Sequence, residues 1–343
     1  MIDIIDEIKK YKSISIIGNY KNVGKTTTLN FIINKAEDKI LGLTSIGIDG
    51  EEKDIITNTN KPQIYINKNT IIATAKSYLL QSDITKEILE NTDINTPLGK
   101  IIIFRALSDG YIKLCGPSIN SQVKQIIDKI KKYNIDIVIV DGALSRKTLA
   151  SPSITDATIF CSGAALSKDI NKVVQDTIYE VALLEIEKIK DDKFYEIYKY
   201  IKEEKISIIN KDYTYKSLNL KTTLNCQDVL LDNIDEDSKY IYINGILTNN
   251  ILQSITKNIK KYKDIDIIIY DGSKVFVDKD IYDKYRTFDK DIKCIKNINV
   301  IGISINPTSP KGYHFESKEF IQKLKQYTDK KVFDVFDEKE VRI

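Results

Sequence analysis

A short apolar run, residues 13–17 (SISII), is followed by Gly18 and then by Asn19-Tyr20-Lys21-Asn22-Val23-Gly24-Lys25-Thr26. Residues 26–35 continue with helical spacing, with Leu29, Ile32 and Ile33 on one side. A buried strand that turns directly into a helix starting at Gly-Lys-Thr constrains the fold more than any other feature of the chain. It calls for an α/β architecture in which the strand end and the helix start face one spot.

The phosphate-loop pattern (Walker A) is Gly, four residues, then Gly-Lys-Ser/Thr. Residues 19–26 match it except at the first position, which is Asn19; Gly18 comes one residue early. Asparagine tolerates left-handed backbone better than most residues, so the turn stays feasible. Successive amides of Val23, Gly24 and Lys25 would meet a β-phosphate at the positive end of the helix. Lys25 would neutralise the β- and γ-phosphates, and the Thr26 hydroxyl would reach Mg²⁺. Tyr20, Lys21, Asn22 and Thr27 complete the expected nucleotide-binding set. The bland alternative is a lysine-rich turn before a helix, and the agreement of strand, loop and helix speaks against it.

Such a site needs an acidic residue after a neighbouring apolar strand. Asp141 closes residues 135–140 (IDIVIV) and is the expected Mg²⁺ or water partner. Asp49 follows the strand expected at 40–48, where it could reach the metal or simply form an Asp-Gly turn. Arg146 could place a cationic fork near a γ-phosphate or be a surface arginine. Asp271 ends a similar strand at 265–270 but has no phosphate loop of its own, so it reads as structural. Residues 118–142 and 248–272 both read as a helix feeding an apolar strand that ends in Asp-Gly. That is either an internal repeat or a coincidence of an Ile-, Lys- and Asp-rich chain. Arg105, Ser108 and Asp109 are the candidates for a second polar cluster.

Strands alternate with helices, and several strands are apolar on both faces. The expected fold is therefore α/β, with a largely parallel sheet flanked by helices. Residues 1–184 read as a nucleotide-binding domain of the P-loop NTPase class. Residues 185–205 (EIEKIKDDKFYEIYKYIKEEK) read as an exposed, charged helical junction, and 206–343 as a second α/β domain or an extension of the sheet. Residues 101–105 and 111–115 flank Ser108-Asp109-Gly110 and read as a hairpin.

Composition removes several chemistries. The chain has 343 residues, with 52 basic against 49 acidic and a net charge of +3, which gives no case for nucleic acid or a membrane surface. No apolar run approaches the ~20 residues that span a bilayer. A single histidine, His314, rules out a multi-histidine metal site, so a metal here would be a hard cation on oxygen ligands. The four cysteines are scattered and the N-terminus is acidic, which together predict free thiols in the cytoplasm. The strings Asn34-Lys35-Ala36-Glu37 and Asn210-Lys211-Asp212-Tyr213 both miss the guanine-reading Asn-Lys-x-Asp, so ATP is preferred over GTP.

Six strings resemble one family together. They are KNVGKTTTLN (21–30), LGLTSIGIDGEE (41–52), IIATAKSYLL (71–80), RALSDGYIKLCGPSINSQ (105–122), VDGALSRKTLASPSITDATI (140–159) and INPTSPKGYHF (305–315). The chain resembles the KamB family, a subunit of the reactivating factor for lysine 5,6-aminomutase. The resemblance is firmest over 13–170 and weakest from Glu185 to Asp237. It implies an ATP- and Mg²⁺-dependent ATPase that acts with a KamC-like ATPase subunit. In lysine fermentation the pair would release damaged cobalamin from the adenosylcobalamin-dependent aminomutase. The family's phosphate loop falls on Gly18 and residues 21–27, so the early glycine matches a family trait. His314 lies in Lys311-Gly312-Tyr313-His314-Phe315 and does not fit the Asp-x-His-x-x-Gly of base-off cobalamin binding; cobalamin would enter through a partner. The alternative is a P-loop kinase or ATP-dependent ligase acting on a small molecule.

Overall fold

The structure is a computed structural model and describes residues 4–36, 38–47, 63–142, 147–259 and 264–336. In chain order the first half contains α1 (Ile4–Ile8), β1 (Ser13–Gly18), α2 (Lys25–Lys35), β2 (Leu41–Ser45), β3 (Ile64–Ile66) and β4 (Ile71–Ala75). There follow α3 (Lys76–Gln81), β5 (Lys86–Thr96), β6 (Gly99–Ala106), β7 (Gly110–Ile112), α4 (Asn120–Ile130), β8 (Ile137–Asp141), β9 (Ala157–Gly163) and α5 (Ile170–Leu184). The second half contains α6 (Asp192–Ile201), β10 (Ile206–Asn210), β11 (Tyr215–Leu218), α7 (Gln227–Asp232), β12 (Ser238–Ile243), β13 (Leu247–Thr248) and α8 (Asn249–Lys257). It ends with β14 (Asp266–Ile269), β15 (Val275–Phe276), α9 (Lys279–Arg286), β16 (Lys293–Cys294), β17 (Val300–Asn306), α10 (Ser317–Lys325) and β18 (Lys331–Asp334).

The chain divides into two units, one of Met1–Val181 with Asn299–Ile343, the other of Ala182–Ile298. The first holds a nine-stranded sheet in the order β18-β17-β9-β1-β8-β2-β4-β6-β5. Every pairing from β18 to β4 is parallel, and β6 alone runs the other way, antiparallel to both β4 and β5. β1 lies between β8 and β9 with every residue buried. Both faces of such a central strand must be covered, which is why it shows no polar–apolar alternation. Ile14 and Ile16 face a core shared with Ile4, Ile8, Leu29, Ile32 and Ile33 of α1 and α2. On the other face, α4 comes so close that a Cβ on Gly42 would stand 2.5 Å from Ile130 Cγ2. Helices therefore flank the sheet, as the apolar runs predict.

One expectation is corrected and two are refined. β6 and β7 do not form a hairpin: β6 pairs with β4 and β5, and β7 pairs with β3. The portion expected at 206–343 is not all of one kind: β10 to β16 lie in the second unit, whereas β17 and β18 extend the first sheet beside β9. Residues 185–205 are more than an exposed charged stretch: most are exposed or half-buried, but α6 buries Phe194 and Ile201 within the second unit.

The second unit holds a five-stranded sheet in the order β11-β10-β12-β14-β16. Its aromatic core packs Phe194 edge-on to Tyr240 at 5.3 Å. Asp191 starts α6 by accepting from the Phe194 N–H at 3.1 Å. Its other oxygen accepts from Tyr213 Oη and Tyr240 Oη, each at 2.7 Å, and from Lys239 Nζ at 3.0 Å. Burial raises the Asp191 carboxyl, but these donors outweigh it and hold the group well below the usual carboxylate range.

Candidate functional site

The carboxyl ends of β1, β8, β9 and β17 lie side by side, and the loop that leaves β1 sits over them. The register sets Ile16 beside Asp141, Gly18 beside Cys161 and Asn306 beside Gly163. Ligands of open α/β sheets gather at this edge.

Gly18 ends β1 for a steric reason. A Cβ there would meet Val23 Cγ2 at 2.7 Å and the Cys161 main-chain oxygen at 2.8 Å. The early glycine is thus needed where the returning loop crosses the strand. Asn19 does not take the left-handed backbone suggested for it; Asn22 at φ 58° and Gly24 at φ 90° do. Both residue types tolerate that region, Gly at no steric cost. Tyr20 and Lys21 form the outer bend, with Tyr20 46% exposed, and Val23 is tucked in at 1%.

Gly24 stands at the N-cap of α2 and no side chain caps that end. Among the described residues, the main-chain N–H groups of Val23, Gly24, Lys25 and Thr26 have no acceptor. A helix of 11 residues with such a start offers aligned donors and a positive dipole end to an anion. The ammonium of Lys25 donates to the Tyr20 main-chain oxygen at 3.0 Å, so the cation bridges the loop. The hydroxyls of Thr26 and Thr27 bond to no described residue, whereas Thr28 back-bonds to the Gly24 oxygen at 2.8 Å. The side-chain oxygen of Asn19 is buried and also lacks a partner among the described residues.

Asp141 is 1% exposed at the end of β8. Gly142 continues the ladder instead of turning: its N–H donates to the Ile16 oxygen at 2.9 Å, and a Cβ would meet that oxygen at 2.4 Å. Asp141 is thereby pinned alongside β1, one strand from the loop. The buried thiol of Cys161 registers both charges of the site. Burial pushes it up, hydrogen bonds from Ser304 and Thr28 and the Lys25 charge pull it down, and the Asp141 charge pushes it up again.

Hydroxyl and carboxylate oxygens are the donor types a hard divalent cation takes. With open amides and Lys25, the residues present fit a phosphate group carrying Mg²⁺. Among the described residues, no group of three or more His, Cys, Asp or Glu side chains is placed to hold a metal by itself.

Asp49 and Arg146 lie outside the described residues. Arg105, Ser108 and Asp109 do not join the site. Arg105 pairs in register with Ile71, at the amino end of β4, and is bound to Glu87 at 2.9 Å. Ser108 and Asp109 accept main-chain N–H groups of Thr85 and Lys68. β6 is also four strands from β1, roughly 19 Å at the usual strand spacing. Asp271 accepts from the N–H and hydroxyl of Ser273 and caps a 3₁₀ turn, the structural role expected of it.

Sequence reasoning missed Asn306. Its side-chain N–H donates to the Asn22 oxygen at 3.0 Å. Its side-chain oxygen accepts from the Thr308 N–H, and its main-chain oxygen accepts from Ala164 N. The only signal was its place in the INPTSP string, which carries no chemistry of its own.

No family model matches the chain, and no curated protein matches it. Among the described residues no helix is long and apolar enough to cross a membrane.

Proposed function

We propose that this protein binds ATP with Mg²⁺ and hydrolyses it. The observation that carries the reading is the Lys25 ammonium crossing a loop whose next amides lack acceptors among the described residues, with Asp141 on the neighbouring strand. In this reading the amides of Val23 to Thr26 hold the β-phosphate, and Lys25 exchanges the Tyr20 oxygen for phosphate oxygens. Thr26 and Asp141 would hold the cation, directly or through water. Bound Mg²⁺ would neutralise charge developing on the phosphates. Asp141 also orients the attacking water.

The purpose rests on the resemblance to the KamB family. We assign the ATPase to the reactivation of lysine 5,6-aminomutase together with a KamC-like subunit. A ligand moves a conformational equilibrium only by its differential affinity for two states. ATP and ADP differ by one phosphoryl group, so the bias must start at the groups that touch it. The small-molecule kinase or ligase reading loses its best support, because Arg105, Ser108 and Asp109 lie at the other end of the sheet.

The test is recovery of aminomutase activity after loading with an inactive cobalamin, in the presence of both subunits, ATP, Mg²⁺ and fresh adenosylcobalamin. Recovery that is the same with this protein omitted, or with Lys25→Ala in its place, ends the reactivase reading.

A further inference from the structure

We propose that Asn306 is a positioning residue for the nucleotide: it aims the Val23 amide at the phosphate from a strand 284 positions downstream. The inference rests on the reading of residues 19–26 as the phosphate site.

The orientation of the Asn306 amide is settled by its two partners. The Asn22 oxygen can only accept and the Thr308 N–H can only donate, so Nδ2 faces the loop and Oδ1 faces Thr308. A trans peptide is planar, with its C=O and N–H pointing in opposite directions. Holding the Asn22 oxygen toward β17 therefore turns the Val23 N–H away from β17. That N–H has no acceptor among the described residues.

The loop needs such a hold. Asn22 and Gly24 both have left-handed backbone, and a left-handed residue other than glycine costs on the order of 1 kcal/mol. A flipped Asn22–Val23 peptide would present an oxygen where an anion must sit. Asn306 opposes the flip by its hydrogen bond and by its bulk, since its Cβ stands 3.2 Å from where a Cβ on Gly24 would be. Asn306 is itself fixed on three sides. Ala164 N–H donates to its main-chain oxygen at 2.9 Å, Thr308 N–H to its side chain at 3.0 Å, and Gly163 approaches so closely that a Cβ would lie 2.8 Å from the Asn306 oxygen. Position 306 thus works as a rigid prop on the sheet edge.

Two variants separate the parts. Asn306→Ala removes both side-chain bonds. Asn306→Asp keeps an acceptor for Thr308 and loses the donor to Asn22. The measurements are MgATP affinity by calorimetry, apo melting temperature, and hydrogen exchange of the Val23 and Gly24 amides with and without MgATP. We expect both variants to bind roughly five- to tenfold or more weakly, the loss of one hydrogen bond and one aimed donor. We also expect MgATP to protect the Val23 amide in the wild type and to lose that protection in both variants. A prop that served only stability would lower the melting temperature and leave the Val23 protection intact, and that result overturns the proposal. So does wild-type affinity in Asn306→Asp, which would leave the Thr308 contact as the part that matters. Should Asn306→Ala fail to fold, Asn306→Asp decides alone. A wild type that binds no MgATP removes the phosphate-site reading and this proposal together, whereas wild-type binding with unaffected variants removes the proposal only.

Discussion

The ammonium of Lys25 donates to the main-chain oxygen of Tyr20, five residues earlier in the same loop, at 3.0 Å. A neutral carbonyl is a weaker partner for a cation than a phosphate oxygen, so on the proposed reading this bond would be exchanged for one to a polyphosphate. Lys25→Ala is expected to abolish MgATP binding in calorimetry while leaving the fold intact. Equal affinity in variant and wild type would show that residues 19–26 do not hold the phosphates.

Asp141 is expected to serve turnover more than affinity. Asp141→Asn preserves the shape of a buried side chain that Gly142 pins beside β1. A phosphate-release assay on the variant, after MgATP binding is confirmed, should show turnover reduced by roughly a hundredfold or more. Unchanged turnover moves the acidic role to another residue, with Asp49 first in line.

Gly18 is expected to tolerate no side chain. The Cβ of Gly18→Ala would press on Val23 Cγ2 and on the β9 main chain at Cys161, and only the first can move cheaply. Overpacking of this kind costs about 1–3 kcal/mol. A lower melting temperature together with weaker MgATP binding is the expected pair of results, and Val23→Ala should restore part of each. If Gly18→Ala matches the wild type in both, the crossing of loop and strand is looser than these distances require.

The parallel core and the phosphate-loop candidate were legible because their signals are local. β1, β8 and β17 are short apolar runs that end at glycine or a polar residue, and α2 repeats at helical spacing. β5 was not legible. It lies at the edge of the sheet, only Thr92 and Ile94 of it are buried, and KEILENTDINT shows neither alternation nor an apolar run. Nor does anything within β17 say which sheet it joins, since an apolar run reads the same in either unit. Asn306 escaped notice for that reason: its role depends on β17 lying next to β9. The left-handed position was placed at Asn19 because the motif puts a glycine there, whereas the strand continues through Gly18 and the bend falls at Asn22 and Gly24.

The second unit should show an acid weakness centred on Asp191. In an unfolded chain an aspartate titrates near ~3.9, and in the fold Asp191 is held well below that. Its contribution is therefore complete above about pH 4 and is lost as the pH falls through the depressed value. Asp191→Asn can still cap α6 but gives up the charged partner of Lys239 and two tyrosine hydroxyls. Urea unfolding should find the variant less stable by on the order of 2 kcal/mol at pH 7, with the gap closing toward pH 2. A gap that stays constant with pH would mean that the carboxylate charge contributes nothing.

The unit of Ala182–Ile298 interrupts the chain between α5 and β17, and that connectivity sets a schedule during translation. The ribosome finishes β1, the loop, α2 and β8 early. It then makes the whole of the second unit before β17 exists. Chains elongate at roughly 5–20 residues per second, so the interval from the end of α5 to Asn306 lasts on the order of ten seconds. Throughout that time the nascent first unit has an open sheet edge at β9, and its loop is present without the asparagine that props it. On the proposed reading, competence for a nucleotide therefore arrives only after Asn306 is made, and a fragment ending anywhere before residue 306 carries the whole phosphate-loop candidate without its support.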